Sequence, residues 1–174
     1  MKAAGLLIGC LLFAAAAPAQ QVKWNVEKLA ARASNNVDIE LNGSLLRLAT
    51  GFLSDTDKDE AQAKKLISGL KGIYVKNLEF KQPGEYSEAD LKGFRASLRA
   101  PDWTRIVGVH STEEGENVEV YIKNEGKSIA GLAIIATEPK ELTLVNIVGN
   151  IDLDALSDLG GQLGIPNVTV DKKK

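Results

Sequence analysis

TRIVGVH at residues 104–110, VEVYI at 118–122, IAGLAIIA at 129–136 and LTLVNIV at 142–148 succeed one another with only short breaks between them. Each is rich in β-branched residues, and the breaks carry turn chemistry: Gly115 among glutamates, Asn124-Glu125-Gly126-Lys127, and Glu138-Pro139-Lys140. Links this short cannot return the chain for parallel pairing, so consecutive strands must run antiparallel as a meander. In the second segment Val118, Val120 and Ile122 alternate with Glu119, Tyr121 and Lys123. That two-residue period predicts one apolar, inward face and one polar, wet face carrying Glu119, Tyr121 and Lys123. The third segment is almost wholly apolar and reads as a central strand.

Upstream of these segments, Val37, Ile39 and Leu41 alternate with Asp38, Glu40 and Asn42, which predicts a further strand. Residues 26–34 read as a helix, and 44–53 as another with Leu45, Leu48, Ala49 and Phe52 on its apolar face. Short polar residues at 54–57 suit a cap for a helix bearing Ala63, Leu66, Ile67 and Leu70. At 73–80 the apolar set slips from Ile73 and Val75 to Leu78 and Phe80, predicting a strand with a bulge near Asn77. Ser87-Glu88-Ala89-Asp90 has the form of a capping box, with Tyr86 placed to staple onto Leu91. Asp152 can cap a last helix carrying Leu153, Leu156 and Leu159, ended by Gly160-Gly161. The expected fold is α+β: an antiparallel meander of about four to five strands packed with several helices.

The chain has 174 residues, 21 basic and 23 acidic side chains, 25% charged and 44% hydrophobic residues. That composition suits one folded domain and excludes collagen-like, disulfide-dense and fully disordered classes. A charge of −2 offers no field for a phosphate backbone, so nucleic acid is not an expected partner. Lys2, the uncharged apolar run at 3–17 and Ala17-Pro18-Ala19 have the form of a secretory signal peptide over residues 1–19, cleaved between Ala19 and Gln20. The run is too short for a transmembrane anchor. Leu7-Ile8-Gly9-Cys10 also has the form of a lipobox, but lipidation at Cys10 would leave the apolar Leu11-Leu12-Phe13 behind the cut. Cleavage at Ala19 is the favoured reading, with a single α+β domain at 20–168 and a flexible basic tail at 169–174, exported to the periplasm or secreted. It removes the single cysteine, and with it any thiol chemistry or disulfide.

Sites of known chemistry are hard to build from the remaining residues. His110 is the sole histidine, which removes two-imidazole metal motifs. Its neighbour Ser111 points to the opposite face of a strand, so the two do not form a dyad. Asp55, Asp57 and Asp59 have calcium-loop alternation, but Glu60 stands where glycine is required and Leu66 where a bidentate acid belongs. Glu113, Glu114 and Glu116 read as a solvated turn rather than a glycosidase pair. Phosphate and dinucleotide loops are missing, so no cofactor and no metal is expected.

Lys71-Gly72-Ile73-Tyr74-Val75, Asn117-Val118-Glu119-Val120-Tyr121 and Glu138-Pro139-Lys140-Glu141-Leu142 through Val148-Gly149 together resemble the bacterial domain-of-unknown-function family 4252 of small exported proteins. The resemblance implies an exported α+β domain and brings no activity with it. The expected function is therefore a non-enzymatic binding or interaction module, contacting an envelope protein or a small ligand through Glu119, Tyr121 and Lys123. The alternatives are a hydrolase independent of histidine, using a carboxylate pair or Ser-Lys chemistry, and a carrier of a small apolar ligand. The intact mass of the exported protein is expected to begin at Gln20; a lipid-bearing Cys10 at the N-terminus would show the lipoprotein route instead.

Overall fold

The computed structural model describes residues 21–151, except Glu114 and Lys127. The expected signal peptide, the expected helix at 152–159 and the basic tail lie outside the described residues. Six strands form one antiparallel sheet: β1 (Asn35–Asn42), β2 (Leu70–Glu79), β3 (Trp103–His110), β4 (Asn117–Glu125), β5 (Ser128–Glu138) and β6 (Glu141–Ile151). Their spatial order is β1-β2-β6-β5-β4-β3. The meander β3 to β6 forms as expected, but the strand count exceeds four to five. β2 pairs with β6 from Leu70 to Glu79 and carries β1 on its other side, so the upstream strands extend the same sheet.

Four helices accompany it: α1 (Glu27–Ala30), α2 (Gly43–Thr50), α3 (Lys58–Ser68) and α4 (Glu88–Ala96). Asn42 caps α2 by accepting from the Ser44 and Leu45 amides, and Asp57 caps α3 by accepting from those of Asp59 and Glu60. The Ser87 capping box is present: the Asp90 carboxylate accepts from the Ser87 amide at 2.9 Å. The same hydrogen bonds from Ser87 hold the Asp90 carboxyl below its usual range. Tyr86 packs against Phe80 with ring centroids 5.3 Å apart, and α4 then crosses from β2 to the far edge at β3.

Cross-strand register sorts the sheet into two faces, because residues directly opposite share a face. One face carries Leu78, Leu142, Leu144, Ile135, Ala133 and Tyr121, which join Leu29 of α1, Leu91 and Phe94 of α4, and Trp24 in a single core cluster. Asn146, fully buried on this face, accepts from the Val22 amide at 2.9 Å and donates to the Leu132 carbonyl at 3.2 Å, fixing the N-terminal stretch there. The opposite face carries rows of β-branched residues, such as Ile39, Val75, Val145, Ile134 and Val120. These are half-buried in the middle strands and exposed at the edges; Leu132 is a fully buried exception.

Three expectations are corrected. No bulge occurs near Asn77, since β2 pairs continuously from Gly72 to Glu79 and its register shift lies between Leu70 and Gly72. Ile73 and Val75 face one side and Leu78 and Phe80 the other, because β2 is apolar on both faces. The apolar side of α2 does not pack inward: Leu46 is buried, while Leu45, Leu48 and Phe52 are exposed. The helix expected at 26–34 contracts to the four residues of α1.

The β2–β6 junction requires a glycine. Gly149 has φ +139°, and a Cβ there would stand 2.5 Å from the Gly69 carbonyl oxygen and the Leu70 Cα. Gly149→Ala is expected to destabilise by about 3 kcal/mol, read as a lowered urea midpoint with unchanged slope.

Candidate functional site

The alternation in β4 is real, but its polar-looking face is the covered one. Glu119 and Tyr121 are each only 7% exposed, because they share a face with Ile135, Leu144 and Ala133, on which α4 packs. This corrects the expected exposed surface at Glu119, Tyr121 and Lys123. Lys123 stands one row further along the same face, half-buried opposite Gly131 and Trp103. Val118, Val120 and Ile122, expected to point inward, belong to the opposite face. The misleading signal was that β5 and β6 are apolar enough on both faces to be a core, so the alternation in β4 alone did not say which face the helices cover.

A charged clasp results. Arg95, in the last turn of α4, reaches Glu119 Oε1 through Nε at 2.7 Å and Nη2 at 2.6 Å, and Glu88 through Nη1 at 2.6 Å. The Tyr121 hydroxyl donates to Glu119 Oε2, and Arg105 Nη1 lies 3.7 Å from the same oxygen. The register of β3 shifts between Arg105 and Val107, which leaves Arg105 opposite Tyr121 and Gly108 opposite Glu119. A side chain at 108 would meet the Arg105 guanidinium at 3.7 Å; with glycine there, an open cleft of about 430 Å³ lies beside the clasp, also lined by Val109, His110 and Asn117. His110 Nδ1 is hydrogen-bonded to Asn117 Oδ1, consistent with a strand-end role.

Burial pushes the Glu119 carboxyl up, but hydrogen bonds from Arg95 and Tyr121 and the charges of both arginines overcome it and hold the group below its ordinary value. Burial and the adjoining Glu119 carboxylate push the Tyr121 phenol up to about 12. Arg95 is also buried against its charge, yet its bonds to Glu119 and Glu88 raise its pKa. At neutral pH the clasp is thus an ionised carboxylate, a protonated phenol and two guanidinium groups. Both carboxylate oxygens are engaged, which suits holding α4 on the sheet better than carrying protons. A second concavity of about 210 Å³ lies between Pro83 and Pro139, where the Tyr86 hydroxyl donates to the Glu138 and Glu141 carbonyls. No group of three or more metal-ligating side chains occurs among the described residues.

Because Glu119 titrates lower in the folded chain than in the unfolded one, its stabilisation is complete above its ordinary value of 4.5 and is lost as pH falls through the depressed folded value. Glu119→Gln is expected to cost about 2–3 kcal/mol at pH 7 and to flatten the fall in stability below pH 4.5. Tyr121→Phe is expected to cost about 1 kcal/mol and to leave that acid limb in place. Urea unfolding from pH 3 to 7 reads both.

No curated protein and no solved structure matches the chain. The family described as "Domain of unknown function (DUF4252)" matches residues 31–159, a span that holds all six strands and every residue of the clasp. The chain belongs to the DUF4252 family.

Proposed function

We propose that this chain is an exported, non-enzymatic protein-interaction module whose recognition surface is the edge strand β1 together with α2. One observation carries the reading. Among the described residues, six of the eight large exposed hydrophobics fall in one short stretch, Val37, Ile39, Leu41, Leu45, Leu48 and Phe52, with Ile106 and Val109 on β3 the other two. Ile39 is 42% exposed, Leu48 62% and Phe52 82%. A helix whose apolar side faces water directly after an edge strand whose apolar side does the same is costly unless something covers both.

β1 pairs with β2 on one side only, so its other edge offers unpaired backbone groups to an added strand. The side chains define what such a strand looks like. Val37, Ile39 and Leu41 ask for apolar residues on one face. On the other face Asp38 is engaged by Lys76, while Glu40 stands opposite Tyr74. A partner segment alternating apolar residues with a basic residue beside Glu40 satisfies both faces. The clasp at Glu119 supports the non-enzymatic part of the reading, since its groups are committed to one another.

A photoreactive amino acid at position 39 in the full chain, expressed in its own envelope, tests this. The expected result is an adduct mapped to an extended apolar segment of one other protein, reduced at least tenfold by Phe52→Lys with the unfolding midpoint unchanged. Adducts spread over many unrelated proteins, or insensitive to Phe52→Lys, would overturn the reading.

A further inference from the structure

The two exposed hydrophobics outside β1 and α2, Ile106 and Val109, lie on β3, the strand at the opposite edge of the sheet. Each edge strand has one neighbour and presents a row of backbone groups outward. The two rows fit one another in backbone direction, apolar pattern and charge.

Along an antiparallel ladder, alternate residues turn their N–H and C=O toward the same neighbour. The Phe80 amide donates to the Lys140 carbonyl at 2.7 Å, so Leu78, Lys76 and Tyr74 bond β6 while Asn77, Val75 and Ile73 bond β1. Their partners Val37, Ile39 and Leu41 turn toward β2, which leaves Asn36, Asp38, Glu40 and Asn42 directed outward. On β3 the Ser111 amide donates to the Glu116 carbonyl at 2.8 Å, so Val109 and Val107 turn toward β4 and His110 and Gly108 turn outward. Before the register shift, the Asn124 amide donates to the Asp102 carbonyl at 3.2 Å, so Thr104 turns toward β4 and Trp103 and Arg105 turn outward.

An antiparallel pairing that sets Val107 of one copy beside Ile39 of another matches every one of these directions. Gly108 then lies beside Asp38, His110 beside Asn36, Arg105 beside Glu40 and Trp103 beside Asn42, so outward groups meet outward groups. Ile106, the residue left over at the shift, falls between Ile39 and Glu40.

The side chains agree with the same register. Val107 and Val109 share the open face with Ile39 and Val37 and would meet them directly. Arg105 and Glu40 both belong to the other face, are exposed and carry opposite charges. A guanidinium carries several donors, and the contact of Arg105 with Glu119 is 3.7 Å long, so Arg105 can serve a carboxylate on its outer side as well. Gly108 has no side chain to disturb the ion pair between Asp38 and Lys76. Sliding β3 by two residues would move Arg105 to Asn42, or to Asp38, which Lys76 already holds; sliding it by one would turn the valines to the wrong face.

We infer that the segment recognised by β1 is β3 of a second copy of this chain, paired antiparallel with Val107 beside Ile39 and Arg105 beside Glu40. This rests on the proposed role of β1 as the recognition edge and names its partner: the other protein molecule is the same chain. The contact joins two different strands, so each added copy presents a fresh edge and association continues head to tail. Six strands at about 4.8 Å give a step of about 29 Å per copy, with the sheet unbroken across each junction.

The full chain carrying a photoreactive amino acid at position 39 is crosslinked twice: in its envelope and, purified, as a mixture of light and heavy isotope-labelled protein. Adducts of mixed isotope composition are expected, mapped to residues 104–109 of the second copy. Glu40→Arg beside the probe is expected to lower their yield at least fivefold, and supplying Arg105→Glu as the second copy to restore it. Val109→Asp, away from the Glu119 clasp, is expected to lower the yield similarly with the urea midpoint unchanged, which keeps the test intact if Arg105→Glu folds poorly. Envelope adducts to one different protein, sensitive to Phe52→Lys, would overturn the second copy and leave the β1 reading standing. Adducts scattered over unrelated proteins would overturn both. Purified chain with no mixed-isotope adducts, or with adducts outside β3 or indifferent to Glu40→Arg and Val109→Asp, would overturn the pairing.

Discussion

The pairing of β2 with β6 is the junction on which the molecule depends. Without it the chain would be two pieces, a β1–β2 pair joined through α2 and α3 and a β3–β6 meander, each with an open edge and a thin core. With it, the side chains in the middle of every strand from β1 to β3 are committed to one face or the other by one shared register, which shifts only near the strand ends and at Arg105–Val107 in β3. Gly149 permits the close approach at one end of this junction, and the Asn77 side chain, bonded to Glu141 and Thr143, ties the other. Asn146, in the same strand, then fixes where the N-terminal stretch lies over the covered face.

Local readings transferred well from sequence to structure where the cause is local. The caps at Asp57 and Ser87, the turns of the meander and the antiparallel order all arise from short-range chemistry that residue types announce. The choice of inner face did not transfer. Val118, Val120 and Ile122 looked like the core stripe of β4, but a sheet apolar on both faces has two candidate cores, and the choice is made by the helices. The hints lay elsewhere in the chain: Leu142 and Leu144 on β6 and Leu78 on β2 share the face of Glu119, a fact visible only once the register is known. The same gap concealed the clasp, since Arg95 and Glu119 belong to different elements and nothing local connects them.

That clasp shows how a charged group survives in an otherwise apolar layer. Glu119 meets two guanidinium groups and one phenol, so the cost of taking a carboxylate out of water is offset by directed hydrogen bonds rather than by solvent. Leu91 and Phe94 anchor α4 in the core, and the charged set adds a directional contact at its last turn. The charged set orients the helix, because Arg95 Nε and Nη2 converge on Glu119 Oε1 while Nη1 holds Glu88 and Tyr121 holds Oε2.

The position of β6 has a consequence for the order in which this molecule can be made. It lies in the middle of the sheet yet comes last of the six strands in the chain. A chain emerging N-terminus first, from a ribosome or a membrane channel, therefore has β1 and β2 available long before the strand that joins them to the rest. Until residue 151 has emerged there is no continuous sheet for α4 to cover, and contacts so distant in sequence form slowly. The fold is thus keyed closed from its far end.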